Sequence, residues 1–256
     1  MGTMIELVAA DGHHLQGWHA LPAGNVRGGL VVVQEAFGLS AYVRSVVERF
    51  AALGYATTAP ALYDRQQSGV ALDHHDPQNL AQGRQLRAGL IWPKVLLDVG
   101  AAIDQLVHSV GQSSGEGVDQ ISVQTSGRSL ERPSAARARQ TARAMRVGIV
   151  GYCVGGSVAW LAAQSLSVTA AVAYYGRDIV DWLEPAPVCP TMLHFGDHDP
   201  LIPLADVGRI RARYPDMPIH VYPVGHGFDG VRAPGDQSAA QSALDRTLSF
   251  LHEHVG

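Results

Sequence analysis

The run Arg146-Val147-Gly148-Ile149-Val150-Gly151-Tyr152-Cys153-Val154-Gly155-Gly156-Ser157 decides how this chain is read. Its first half is apolar and β-branched, as a buried strand is, and its second half is rich in small residues that suit a closely packed helix over 155–164. Between them stands Cys153, with Gly151 two residues before and Gly155 two residues after. A side chain held on a tight strand-to-helix bend needs neighbours without a Cβ on both sides, because the two elements approach closely and the backbone is strained. The stretch therefore reads as a nucleophile elbow, G-x-C-x-G in place of the commoner G-x-S-x-G. At the start of the helix, unpaired N–H groups and the positive end of the dipole favour a negatively charged sulfur. Taken alone, the motif fits a core cysteine between flexible glycines equally well; the rest of the chain separates the two.

The 256 residues are 46% hydrophobic and 16% charged, enough for one sizeable core, so a single domain over 1–256 is expected. A net charge of −4 gives no basic surface for nucleic acid or an anionic membrane. Two cysteines far apart give no disulfide framework and suit a reducing compartment. The first residues lack a basic region followed by an apolar core, and no stretch reaches about 18 apolar residues. The expectation is a soluble, cytoplasmic, monomeric protein with no cofactor and no metal.

Outward from the elbow, residues 4–9 and 14–21 flank Asp11-Gly12 and read as a hairpin, with His13, His14 and His19 facing solvent. Residues 29–33 are continuously apolar, a strand buried on both faces, and end in Gln34-Glu35-Ala36-Phe37-Gly38-Leu39. Glu35 thus falls at the carboxyl edge of the sheet, where open α/β sheets bind ligands. A helix over 42–53 and a strand over 56–59 follow. The loop 62–76 carries Tyr63, Arg65 and Asp73-His74-His75-Asp76; that cluster lacks ligand spacing and reads as solvated. Helices are expected over 79–90 and 94–108, with Trp92-Pro93 as the break between them. Residues 109–143, dominated by Gly, Ser, Gln and Arg, read as a mobile surface insertion with at most a weak strand over 118–123. Strands over 169–174, 190–195 and 219–222 and helices over 204–213 and 237–252 complete the chain. Strands alternating with helices imply an α/β protein, with right-handed crossovers and a mostly parallel central sheet covered by helices on both faces.

Three polar groups fall just past strand ends in the order Cys153, Asp199, His226. Nucleophile, acid, histidine is the chain order of an α/β-hydrolase. His226 would take the thiol proton, Asp199 would hold the imidazole in the right tautomer, and Cys153 would attack a carbonyl carbon. The backbone N–H of Val154 and that of Ala36 would meet the oxyanion. Asp197 rivals Asp199 for the acid; Gly196-x-x-Asp199 leaves room for the turn after the strand and favours the latter. His194 and His198 lack the glycine-flanked loop of His226.

At these residues the chain resembles the dienelactone hydrolase family. Gln34-Glu35-x-Phe37-Gly38-Leu39, Leu62-Tyr63-x-Arg65-Gln66, Ala71-Leu72-Asp73, Gly151-Tyr152-Cys153-Val154-Gly155-Gly156, Gly196-x-x-Asp199 and Gly225-His226-x-Phe228 are similar to its motifs, and the likeness spans all but 109–143. The resemblance implies a cysteine hydrolase that opens small lactones such as carboxymethylenebutenolide; Phe37, Tyr63, Arg65, Arg84 and Phe228 are candidates for the substrate pocket. It also implies a role for Glu35, whose counterpart in the family engages the resting thiol until substrate releases it. A carboxylate beside a thiol disfavours a second negative charge, so such a switch makes electrostatic sense.

The chain departs from the family where two arginines clamp a substrate carboxylate. By register those positions are Leu80 and Gly230, and Arg84, Arg87 or Arg232 could substitute from a neighbouring turn. Their loss favours an uncharged ester, lactone or thioester. A non-catalytic small-molecule binder and a thiol redox protein are the other readings. An intact nucleophile, acid and base argues against the first. The second would need Cys189, expected to be a buried structural residue.

Overall fold

A computed structural model describes residues 1–113 and 145–256. Among these residues eight strands form one sheet: β1 (Thr3–Val8), β2 (His14–Ala20), β3 (Gly28–Val33), β4 (Tyr55–Pro60), β5 (Val147–Tyr152), β6 (Ala170–Tyr174), β7 (Thr191–Gly196) and β8 (Ile219–Tyr222), in the spatial order β1-β2-β4-β3-β5-β6-β7-β8. β1 and β2 form the antiparallel hairpin expected around Asp11-Gly12, and β2 joins β4 antiparallel. All later pairings are parallel. Every residue of β3, β4, β5, β6 and β7 is buried, so side chains on both faces of the pleat are covered. The covering helices are α1 (Ala41–Ala52), α2 (Pro77–Ala88), α3 (Trp92–Ser113), α4 (Val154–Ser165), α5 (Leu204–Arg213) and α6 (Asp236–His254).

The register fixes where the chemistry lies. Val33 pairs with Gly151, Tyr152 with Tyr174, Tyr174 with His194 and Gly196 with Tyr222. The parallel strands therefore end in step, and the loops after β3, β5, β6, β7 and β8 leave from one edge. From β3 the chain goes outward to β4 on one side, and β5 lies on the other. This reversal is the crevice where doubly wound sheets bind ligands. Glu35 and Cys153 leave the sheet on either side of it.

Several boundaries differ from expectation for local reasons. Trp92-Pro93 opens α3 instead of separating two helices, because proline is tolerated in a first turn; the break falls at Gly89, which caps α2. Asp76 caps α2, its side chain accepting from the Gln78 N–H at 2.9 Å. Helix α3 runs on to Ser113, past the expected start of the insertion at 109, and the remainder of 109–143, with the strand considered over 118–123, lies outside the described residues. His19 does not face solvent: it is buried, and Nδ1 lies 2.9 Å from the Thr58 hydroxyl. Among the described residues no helix is long and apolar enough to cross a membrane.

Candidate active site

Cys153 sits between β5 and α4 with φ 56° and ψ −114°, a left-handed backbone that non-glycine residues avoid at about 1–3 kcal/mol. The surroundings hold it there. Its N–H donates to the Tyr174 carbonyl at 3.0 Å, and its own carbonyl accepts from Gly156 and Ser157. The flanking glycines are required by contact: a Cβ on Gly151 would lie 1.8 Å from the Gly155 carbonyl oxygen, and one on Gly155 would lie 2.3 Å from that of Val33. Strand, elbow and helix thus close on one another with no room for a methyl group. Cys153 is half-buried. Val154 is the first helical residue, where N–H groups lack intrahelical partners.

The loops after β7 and β8 bring Asp199 and His226 together. Asp199 Oδ2 lies 2.7 Å from His226 Nδ1, while Oδ1 accepts from the Leu201 N–H at 2.8 Å. The acid side chain is wholly buried and the ring is 15% exposed. Asp197 instead lies toward solvent beside the exposed His198, 3.7 Å away. Burial alone would lower the pKa of His226; the bond to Asp199 and the adjacent Cys153 thiol outweigh it and hold the ring up to about 10. The thiol acts on the ring at close range, yet buried Nε2 has no bond of proper hydrogen-bond geometry. His194 lies in the core, bonded to the Tyr222 and Thr247 hydroxyls.

Glu35 differs from the resting arrangement that the resemblance implies. Its carboxylate is 1% exposed and is met by Arg232 Nη2 at Oε2 and by the Tyr175 hydroxyl at 3.5 Å, not by the thiol. Burial raises its pKa, with Arg232 and then His226 opposing. Arg232 lies two residues beyond Gly230, with its guanidinium 5.8 Å from the Phe37 ring. Phe37 also faces His74, the ring centroids 6.1 Å apart. Tyr63 is buried and donates to the Ala36 carbonyl at 3.3 Å; burial chiefly, and then the nearby Cys153, raise its phenol, so it borders the site. Ala36 itself is buried in the loop after β3.

The other pocket candidates fall elsewhere. Arg65 is committed to structure, its guanidinium forked between Asp98 and Asp11 at 2.8 to 3.1 Å. Phe228 is fully buried among Tyr174, Tyr175 and Tyr222, in the core behind the site. Arg84 is exposed on α2. Arg87 is held by both oxygens of Asp178 at 2.6 Å, and Asp178 also accepts from Ser157. Asp73 and His75 are exposed and His74 is half-buried, with one donor atom of each falling within 4.8 Å of the others. Cys189 is half-buried, its thiol pushed up by burial.

Sequence reasoning passed over two groups at the edge. Tyr175, at φ 39°, has its ring 5.0 Å from that of His226. Asp229, in the loop after His226, is buried against Tyr42 and Arg49. The signals were present: an aromatic-glycine step closing β6, and an acid three residues beyond the histidine in an otherwise apolar turn.

A model of the dienelactone hydrolase family matches residues 15–255. A carboxymethylenebutenolidase of Pseudomonas putida is 30% identical over 254 residues, covering 96% of this chain and 94% of that protein. Carboxymethylenebutenolidase 1 of Cupriavidus pinatubonensis is 27% identical, covering 96% and 95%. Among solved structures, a dienelactone hydrolase-like promiscuous phosphotriesterase from metagenomic libraries superposes with a TM-score of 0.64 at 19% identity, covering 100% of this chain and 99% of that one. The fold is the α/β-hydrolase fold, and over nearly its whole length this chain belongs to the dienelactone hydrolase family of hydrolases.

Proposed function

We propose that the protein opens a small lactone or ester through a thioester on Cys153. The observation that carries this is the strained, partly exposed elbow cysteine beside a buried His226–Asp199 pair. The thiol proton resides on His226, giving a thiolate–imidazolium pair, and the bond to Asp199 stabilises the imidazolium. Sulfur attacks the carbonyl carbon, and the N–H groups of Val154 and Ala36 receive the developing oxyanion. The ring-opened alkoxide or leaving alcohol recovers the proton from His226. Water, activated by the neutral imidazole, then cleaves the thioester and frees the acid.

The chemistry of the pocket wall narrows the substrate. The relatives named carboxymethylenebutenolidase suggest a lactone of that kind. Of the three arginines that could stand in for Leu80 and Gly230, Arg87 is bound to Asp178 and Arg84 points to solvent, which leaves Arg232. Its charge is already matched by Glu35. One neutralised arginine is a weak clamp, so the proposal is a lactone or ester whose recognition does not depend on a carboxylate.

Replacement of Cys153 by alanine tests the reading. Turnover of p-nitrophenyl acetate and of a panel of lactones, with and without a carboxylate, is expected to vanish, and wild-type rates in Cys153→Ala would reject the nucleophile. In the native protein the uncharged lactones should be turned over at least as well as the charged ones.

A further inference from the structure

A buried polar cluster behind the nucleophile has no part in the chemistry above. Asp229, three residues after His226, has a fully buried side chain. Its Oδ2 accepts from the Tyr42 hydroxyl at 2.5 Å and from Arg49 Nη2 at 3.1 Å. Tyr42 and Arg49 are seven residues apart on α1 and so share one face of that helix. The Tyr42 ring meets Tyr152 edge-on at 5.9 Å, and Tyr152 is the residue before Cys153. The Tyr152 phenol, raised chiefly by burial, also feels the charges of Asp229 and Arg49. One cluster therefore joins the histidine loop, helix α1 and the elbow.

Stability is a weak reason for such a pair. Desolvation roughly offsets the attraction between buried charges, and apolar replacements are often neutral or stabilising. What a carboxylate held by two directional donors does supply is a fixed location. The His226 loop needs one: Gly225 and Gly227 flank the ring, Gly227 at φ 78°, and glycine lends little stiffness. Asp199 holds the ring through Nδ1, which sets its rotation but leaves its approach to Cys153 to the loop that carries it.

We propose that Asp229 is a positioning residue for His226, anchoring the loop to α1 through Tyr42 and Arg49 so that Nε2 stays within reach of the Cys153 sulfur. This rests on the reading of Cys153 and His226 as nucleophile and base. A displacement of about 1 Å at reacting groups costs roughly 100-fold in rate.

The experiment measures kcat and KM for p-nitrophenyl acetate and the rate of Cys153 alkylation by iodoacetamide against pH, read by peptide mass spectrometry to separate Cys153 from Cys189. Asp229→Ala is expected to lower kcat about 30- to 100-fold with KM within about threefold, and to displace the alkylation profile to higher pH because the ring no longer assists the thiol. Asp229→Asn, which can still accept from Tyr42, should recover at least about tenfold of that loss. Tyr42→Phe keeps the ring and removes the 2.5 Å bond; a loss of about tenfold in kcat with a displaced profile is expected, and this variant decides if Asp229→Ala does not fold. A kcat within twofold of wild type, or a reduced kcat with an unmoved alkylation profile, would overturn the proposal. Active Cys153→Ala protein would bring down both readings, whereas inert Cys153→Ala beside wild-type-like Tyr42→Phe would bring down only this one.

Discussion

A single methyl group added at Gly151 should separate activity from stability. In Gly151→Ala the new Cβ would stand 1.8 Å from the Gly155 carbonyl oxygen, 2.3 Å from its carbon and 2.9 Å from the Gly156 nitrogen. Van der Waals contact begins near 3.5 Å, so β5 and α4 must part by roughly 1.7 Å. All three opposing atoms are backbone, so no side-chain rotation relieves the clash. Overpacking of this kind costs about 1–3 kcal/mol, which lowers Tm by roughly 2–12 °C in a protein of this size. The elbow moves with the helix, and on the proposed mechanism about 1 Å at Cys153 costs about 100-fold, or about 2.7 kcal/mol of barrier. Initial rates on p-nitrophenyl acetate, with folding followed by thermal fluorescence, should therefore show kcat/KM down at least about 100-fold in protein that is still folded at 25 °C. Gly208→Ala is the control: it lies exposed within α5 with nothing within 4 Å of its Cβ, and should stabilise by about 0.4–1 kcal/mol at unchanged kcat. Activity within threefold of wild type in Gly151→Ala would refute the argument that the elbow's closeness sets the geometry of attack.

The pH dependence of stability carries a sign. The pKa of His226 is raised from 6.5 to about 10, so the folded protein holds this proton more tightly than the unfolded chain; the contribution is complete below about pH 6.5 and is lost as pH rises through about 10. The urea midpoint should fall from pH 7 to pH 10, and His226→Gln should flatten that slope; equal slopes in the two proteins would refute the assignment. Arg65→Met leaves the fully buried Asp98 without its partner and should destabilise by about 3–5 kcal/mol while kcat of the folded protein is unchanged; a changed substrate profile would return Arg65 to the pocket.

The elbow and the chain order of Cys153, Asp199 and His226 were legible because each is announced by glycines whose spacing reflects a local backbone demand. The strands were legible from continuous apolar runs, since burial on both faces removes alternation. The fates of Arg65, Arg87 and Arg232 were not legible. Their carboxylate partners Asp98, Asp178 and Glu35 lie 33, 91 and 197 residues away, and nothing local distinguishes an arginine awaiting a substrate from one already paired. Phe228 was misread for a related reason: it shares the histidine's motif, but its side chain is buried against Tyr174 of β6, Tyr175 and Tyr222 of β8. Glu35 was assigned the right edge and the wrong companion, because the choice between thiol and guanidinium depends on a loop that closes from the far end of the chain.

The matching of Glu35 with Arg232 and of Asp229 with Arg49 has a consequence for how molecules arrive. Each of these carboxylates has its opposite charge within hydrogen-bonding distance, which shortens the reach of the field from this edge. Around it the protein carries a net charge of −4. With the local charges paired and the overall charge negative, long-range attraction of an anion to this edge is not expected.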